Sequence, residues 1–465
     1  YGRKLFLIQN CVYGVDIQPI AVQIAKLRFF ISLIVEQKIS EDIPNRGIRP
    51  LPNLETKFVA ANTLMGLGGQ AVLKTPEIEQ KEQQLAKARK DHFGARTRQT
   101  KDRCRERDRT LRGEIGELLM ALGFPGETAT KMSSWNPYDQ NITSSFFEPS
   151  WMFGVQDGFD VVIGNPPYVS SRSGSEKGLT PEVKKYFLEN FNLVEFQINL
   201  YPLFIEKAHS LLKDNGVLSY ITPNNWLTIN TNKKLRKFIL QQSKIKIVNF
   251  LSQVFESASV DSSIIIFSKG GVQKEINFLE YTDSFHFLYR GSTDFFLKNK
   301  DHIINIEILK GNNVSKILEK IESQSLELKR IATVKSGLKA YEIGAGKPPQ
   351  TLEMKEKRSF HSRESLDETY FKYIDGKNVC RYNLTWNGEF ITYGKHLSRP
   401  RTFGLFSGDR ILVRQIPSSA PYYINACFTQ ETILNDLNSM NVLNIQGDPK
   451  AVLSVLNPDF SQTEG

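Results

Sequence analysis

Phe159-Asp160-Val161-Val162-Ile163-Gly164-Asn165-Pro166-Pro167-Tyr168 is the stretch on which the reading of this chain turns. It is a short apolar run that stops at a rigid, polar turn tipped by an aromatic ring. Continuous apolar runs of this length read as strands of the buried, parallel-sheet kind. Gly164 and the two prolines end the strand. Each proline holds φ near about −65°, and each residue before a proline is pushed to extended geometry. Such a turn projects one amide side chain and several backbone carbonyls from the carboxyl edge of a sheet. Open α/β sheets bind their ligands at that edge.

The turn suits a particular chemistry. An exocyclic amine conjugated to a ring is a poor nucleophile. Two acceptors, the Asn165 side-chain oxygen and the Pro166 carbonyl, would take its two N–H bonds, localise the lone pair and aim it at an electrophile. Tyr168 would stack on the ring that carries the amine. The alternative is a proline-stiffened corner without chemistry.

Working outward, repeated strand–helix–strand units surround this turn. An apolar run from Leu5 ends at Gly14-Val15-Asp16-Ile17, and Pro19 then opens a helical pattern through Phe29. Proline suits a first helical turn. Asp16 therefore sits where a strand passes into a helix. It serves either as a ribose acceptor, as acids at strand tips do in nucleotide-binding folds, or as a helix cap. Lys57–Ala61 reads as the next strand, ending at Asn62-Thr63. Downstream, Asn199–Lys213 is amphipathic at helical spacing, Gly216–Pro223 is a strand, Asn232–Gln241 a helix, and Ile245–Phe250 and Ser263–Phe267 are strands. Alternation of this kind implies a mostly parallel sheet with helices on its faces.

Residues 74–150 break that rhythm and are read as a charged, largely helical insertion. From Lys74 to Arg112 there are thirteen Lys or Arg against seven Asp or Glu. Lys87, Arg89, Lys90, Arg96, Arg98, Arg103, Arg105 and Arg107 either contact a phosphate backbone or form a solvated helical face. The whole chain of 465 residues carries a net charge of +10, which favours a polyanionic partner. Its four cysteines are far apart and show no metal-ligand spacing, so no disulfide framework, zinc site or other metal site is expected. No run approaches the ~18 apolar residues of a membrane span.

From about Leu326 the chain becomes rich in Gly, Arg and aromatic residues with short strand signals, and residues 326–465 are read as a second domain after a first of 1–325. Arginines can read guanine edges and other basic groups can hold phosphates. Arg399, Arg401, Arg410 and Arg414, with Lys335, are the candidates; pairing with acids inside the domain is the alternative.

In order, Gly14-Val15-Asp16-Ile17, Asn165-Pro166-Pro167-Tyr168, the Val254–Val260 loop with Phe255, and the C-terminal region resemble the gamma-class, TaqI-like adenine-N6 DNA methyltransferases of type II and IIG restriction–modification systems. The likeness spans nearly all of the chain. It implies a Rossmann-like fold dependent on S-adenosylmethionine, with a charged helical insertion and an α+β target-recognition domain. It implies methyl transfer to the N6 amine of a flipped adenine in double-stranded DNA. Asn165, Pro166, Pro167, Tyr168 and Phe255 would form the catalytic group, the two aromatics clamping the base. Asp16, Ile17, Asn62, Thr63 and Asn165 would hold the cofactor; many family members carry Asp where this chain has Asn62. Phe255 as a core residue is the other reading.

The family's glycine-rich cofactor loop precedes the acidic strand tip, and nothing before Tyr13 matches it. With Tyr1 in place of an initiator Met, the chain is expected to be a piece of a longer protein that holds the loop, and the end of the recognition domain is expected to be missing as well. A fused or separate endonuclease is a further expected partner, in a prokaryotic cytoplasm. The competing readings are a DNA-binding specificity module or inactive fragment, and a methyltransferase acting on protein glutamine or on RNA.

Overall fold

The computed structural model describes residues 1–67, 75–168, 179–195, 198–255, 260–310, 320–321, 323–418 and 422–457. The chain divides into two compact units, Tyr1–Ser315 and Lys316–Gly465.

The first unit opens with helix α1 (Gly2–Asn10), strand β1 (Gly14–Asp16) and helix α2 (Pro19–Val35). Sequence reading takes the apolar residues before Tyr13 as the approach to a strand; they form α1, and β1 is only three residues long. Pro19 occupies the first turn of α2 as anticipated. Strand β2 (Phe58–Ala60) pairs with β1 in parallel, Asp16 opposite Ala60.

Two antiparallel helices follow, α3 (Pro76–Gly94) and α4 (Arg98–Ala121), then α5 (Gly126–Ser134) and α6 (Pro149–Phe153). The Thr75 hydroxyl caps α3 by accepting from the Ile78 N–H, and Thr97 caps α4 by accepting from Thr100. The insertion is thus a helical hairpin. It shares one buried apolar cluster with the end of β2 and with α6, including Val59, Ile78, Leu85, Ile115, Phe147 and Trp151.

The rest of the unit is built on a six-stranded sheet, in the order β3 (Phe159–Gly164), β4 (Leu212–Pro223), β6 (Ser262–Ser268), β5 (Ser243–Phe250), β7 (Glu275–Tyr281), β8 (Phe285–Ser292). Helices α7 (Pro181–Asn190), α8 (Leu200–Leu211), α9 (Lys233–Leu240) and α10 (Thr293–Lys298) connect or flank the strands. The pairs β3/β4 and β5/β7 are parallel; β4/β6, β6/β5 and β7/β8 are antiparallel. The α/β class stands, with a mixed sheet in place of a mostly parallel one. The direction changes because only residues 251–261 separate β5 from β6, too few for a parallel crossover, so the chain returns antiparallel. Trp226, Leu235, Ile239, Ile265 and Phe267 lie at the centre of this unit's largest core.

The second unit has two four-stranded sheets. One runs β10 (His361–Ser362), β14 (Phe390–Thr392), β11 (Tyr370–Ile374), β17 (Leu434–Asn435). The other runs β16 (Ala426–Thr429), β15 (Arg410–Arg414), β18 (Ser439–Leu443), β9 (Thr333–Ser336). A small hairpin of β12 (Val379–Cys380) and β13 (Asn383–Leu384) and a helix at Pro449–Leu456 complete it. Gly337 lies where β9 meets β17 and β18. A Cβ there would come within 2.1 Å of the Asp436 carbonyl oxygen, so only glycine allows the approach.

Candidate active site and family relationships

The turn after β3 is built by close packing. A Cβ on Gly164 would meet the Tyr220 ring of β4 at 3.0 Å, so a larger residue at the end of the strand requires that ring to give way by a few tenths of an ångström. Asn165 follows, exposed, and its side chain takes no hydrogen bond among the described residues. Pro166 is buried and Pro167 exposed, so the turn is anchored on one ring while the amide projects into solvent.

Tyr168 is half-buried and meets Phe255 edge-to-face, the ring centroids 6.4 Å apart and the planes at 70°. The structure therefore brings together two residues 87 positions apart that the resemblance pairs across a base. In this state the rings touch each other. A base entering between them has to part them and turn Phe255 to present its face. The Tyr168 hydroxyl lies beside Ser262 but makes no well-formed hydrogen bond; the Ser262 hydroxyl donates instead to the Val260 carbonyl at 3.2 Å. Burial pushes the phenol pKa up, with Ser262 opposing. Ser262 and Tyr220 thus support the turn. Sequence reading passed over both, because their role comes from neighbouring strands.

At the tip of β1, Asp16 Oδ1 accepts from the Gln18 N–H at 2.7 Å, a local turn just before α2, whose N-cap is Gln18 and takes no side-chain cap. Its other carboxylate oxygen has no hydrogen-bond partner among the described residues, and the side chain is exposed. The Ile17 carbonyl accepts from the Thr143 hydroxyl at 3.0 Å, and the Ile17 side chain is exposed. One strand over, Asn62 Oδ1 accepts from the Leu64 N–H at 3.3 Å, while the Asn62 N–H donates to the Ser144 carbonyl at 3.0 Å. Thr63 beside it is half-buried. The Ala61 N–H donates to the Asp16 carbonyl at 2.9 Å, tying the two strand tips together. Thr143 and Ser144 strap this edge, and nothing local in the sequence marks them.

Several basic candidates change standing. Arg410 is fully buried and donates to the Gly408 and Ile433 carbonyls, so it is a core residue of the second unit and cannot meet DNA. Burial lowers its pKa to about 10. Arg89 is 7% exposed and spends Nε on Asp108 and Nη1 on the Trp151 and Met152 carbonyls. Arg105 reaches Glu55 at 3.6 Å and lies over the Tyr138 ring. Lys87, Lys90, Arg96, Arg98, Arg103 and Arg107 remain exposed.

In the second unit Lys335, Arg399 and Arg401 are exposed and near one another. Arg401 Nη2 donates to the Ser336 hydroxyl at 2.6 Å, and Arg399 pairs through its backbone with Lys339. Arg414 is half-buried and donates to the Ser418 hydroxyl at 3.1 Å. Among the described residues no group of His, Cys, Asp and Glu is placed to hold a metal ion, and no helix is long and apolar enough to cross a membrane.

Strand tips of the first unit carry acid and amide groups, exposed at Asp16 and Asn165, and the second unit is rich in short strands. Residues 10–255 match the Eco57I restriction-modification methylase family, and residues 371–463 match the TaqI-like C-terminal specificity domain. The chain belongs to the Eco57I restriction-modification methylase family.

Among curated relatives, RM.MjaORFECS2P of Methanocaldococcus jannaschii, whose name carries both a type II restriction enzyme and a methyltransferase, is 26% identical. That match covers 90% of this chain and 38% of the relative. The type II methyltransferase M.TthHB8I of Thermus thermophilus is 31% identical over 29% of this chain and 31% of its own length. The chain thus spans well under half of either relative. A solved structure of the type IIL restriction-modification enzyme MmeI in complex with DNA aligns with a TM-score of 0.46 at 11% identity. It covers 98% of this chain and 60% of that one.

Proposed function

We propose that this chain is the catalytic and recognition part of a site-specific DNA methyltransferase. It transfers a methyl group from S-adenosylmethionine to the N6 amine of an adenine flipped out of double-stranded DNA, within a restriction–modification system. The observation that carries the reading is the Asn165 turn. An exposed amide, without a hydrogen-bond partner among the described residues, stands directly before two prolines and an aromatic ring, and that ring already touches Phe255.

The residues at the strand tips fit the cofactor. Asp16 has a free carboxylate oxygen for ribose hydroxyls, and Asn62 keeps an amide N–H₂ and one oxygen lone pair for the adenine edge. When bound, S-adenosylmethionine supplies an electrophilic methyl group on a positively charged sulfur. The chain's own residues do the rest. The Asn165 side-chain oxygen and the Pro166 carbonyl accept from the target amine and fix its direction. Tyr168 and Phe255 hold the ring, and stacking worth roughly 1–3 kcal/mol per base offsets part of the few kcal/mol needed to extrude it. Proximity and alignment then supply much of the acceleration. Lys335, Arg399, Arg401 and Arg414 are the proposed DNA contacts of the second unit. A fused or separate endonuclease belongs to the same proposal.

The test is incorporation of labelled methyl into unmethylated duplex DNA, followed by nucleoside analysis, with RNA and protein substrates alongside. Label in N6-methyladenine supports the reading. Label only in RNA or protein, or none in any substrate, overturns it.

A further inference from the structure

The tip of the β12–β13 hairpin carries two residues that local rules do not favour. Cys380 pairs with Asn383, so Arg381 and Tyr382 form a two-residue loop. Such loops favour Asn-Gly or Asp-Gly, because positive φ is needed and small or Asx residues tolerate it. Here Tyr382 adopts φ 59°. A bulky side chain holds that conformation only when its surroundings over-determine it, and strain of this kind gathers at functional sites.

The surroundings do over-determine it. The Tyr382 N–H donates to the Ala426 carbonyl at 2.8 Å, and its hydroxyl donates to the Asn457 carbonyl at 2.8 Å. The Asn457 side chain is buried and bonds the Ala426 N–H and carbonyl at 3.0 and 2.7 Å. The loop is pinned from both sides, yet the Tyr382 ring stays 53% exposed.

The consequence is the placement of Arg381. Its guanidinium carbon lies 5.2 Å from the Tyr382 ring centroid and 4.4 Å from that of Tyr422. Unlike Arg401 and Arg410, it makes no hydrogen bond and no ion pair among the described residues. Aromatic faces order a planar guanidinium without using any of its five N–H donors. The half-buried fork is therefore oriented, with its donors unused among the described residues. A guanidinium is weakly hydrated and matches phosphate oxygens in geometry. Tyr423 and Ile424, both exposed, continue from Tyr422 as an apolar border suited to a sugar.

We propose that Arg381, held by Tyr382 and Tyr422, grips a backbone phosphodiester of the DNA bound by the second unit. The inference rests on the DNA reading given above and adds a contact to it. One half-buried fork at a hairpin tip holds a free anion weakly. A polyanion brings many phosphates at once and gains from each counterion released.

The experiment measures duplex DNA binding by the 465-residue chain against salt concentration, for the wild type, Arg381→Gln, Arg381→Lys and Tyr422→Leu, each checked by thermal unfolding. Arg381→Gln is expected to weaken binding uniformly across sequences and to lower the slope of log K against log salt by about one. Arg381→Lys should restore the slope, and Tyr422→Leu should weaken binding while keeping it. A wild type that binds DNA, with an unchanged slope in Arg381→Gln, overturns the inference and leaves the DNA reading in place. A wild type that binds no duplex overturns both. Inorganic phosphate at matched ionic strength supplies the other arm. If it binds the wild type but not Arg381→Gln and leaves the DNA affinity of both unchanged, the site takes free anions, and the assignment to the DNA backbone is overturned.

Discussion

At the scale of single residues, Asn165 and Tyr168 do different work and their substitutions should separate. Asn165 is exposed and its side chain makes no hydrogen bond among the described residues, so removing its amide costs none of the contacts seen there. Asn165→Ala should therefore fold normally and bind DNA, yet lose methyl transfer by on the order of 10²-fold or more, the scale on which lost alignment acts. Single-turnover methylation beside a gel-shift titration checks this, and normal turnover would remove the residue from the proposed mechanism. Tyr168→Ala removes a stacking face worth roughly 1–3 kcal/mol. It should lower occupancy of the extrahelical base, read by fluorescence of 2-aminopurine placed at the mapped target, with a smaller effect on overall DNA affinity. The Asn165 turn was legible in sequence because proline and glycine impose their geometry locally. Its supports, Tyr220 and Ser262, were not, because each acts from a neighbouring strand.

At the scale of elements, the α3–α4 hairpin shows how a charge run misleads. Asp108 is fully buried between two arginines, Arg89 Nε and Arg112 Nε each at 2.7 Å. Arg112 also donates to the Ser133 carbonyl, which ties α4 to the end of α5. Arg89 and Arg112 look like any other cation in the run. Both pair with Asp108, which lies one turn from Arg112 on α4 and which the antiparallel turn brings alongside Arg89, 19 residues away. Removing one member of such a cluster strands the others: Asp108→Ala leaves two buried guanidinium groups without a counter-charge and should destabilise the unit by about 3–5 kcal/mol. Urea unfolding followed by the near-ultraviolet signal of Trp151, which is buried against the hairpin, measures it. A loss below about 1 kcal/mol would show that the hairpin is not anchored by this cluster. The β7–β8 hairpin went unread although Ile276 and Phe278 alternate with polar neighbours; the apolar residues exposed on β8 blur the period of its partner.

At the scale of the whole molecule, stability should fall on mild acidification. His361 sits among Tyr341, Phe360 and Tyr373, its Nδ1 at 2.8 Å from the Tyr341 hydroxyl. Burial, with Arg358 adding and Asp375 opposing, pulls its pKa from 6.5 down to about 4. The unfolded chain then binds more protons than the folded one between those values, so stability rises with pH across that window and is lost as pH falls through it. His92, buried in the first unit and also shifted down, acts in the same direction. The thermal midpoint should drop between pH 7 and pH 5, and His361→Phe should flatten the drop; an equal drop in the variant would sink the assignment. The sequence by itself determined the α/β class, the turn at Asn165, the strand-tip positions of Asp16 and Asn62, and a separate strand-rich region after them, because periodicity, proline and glycine act over a few residues. Tertiary structure alone decided which arginines face solvent, that Tyr168 and Phe255 touch, that the central sheet is mixed, and that Arg381 lies against two rings. Each of those depends on partners tens to hundreds of residues away, and burial, pairing and strand direction are properties of the packed chain that no local pattern encodes.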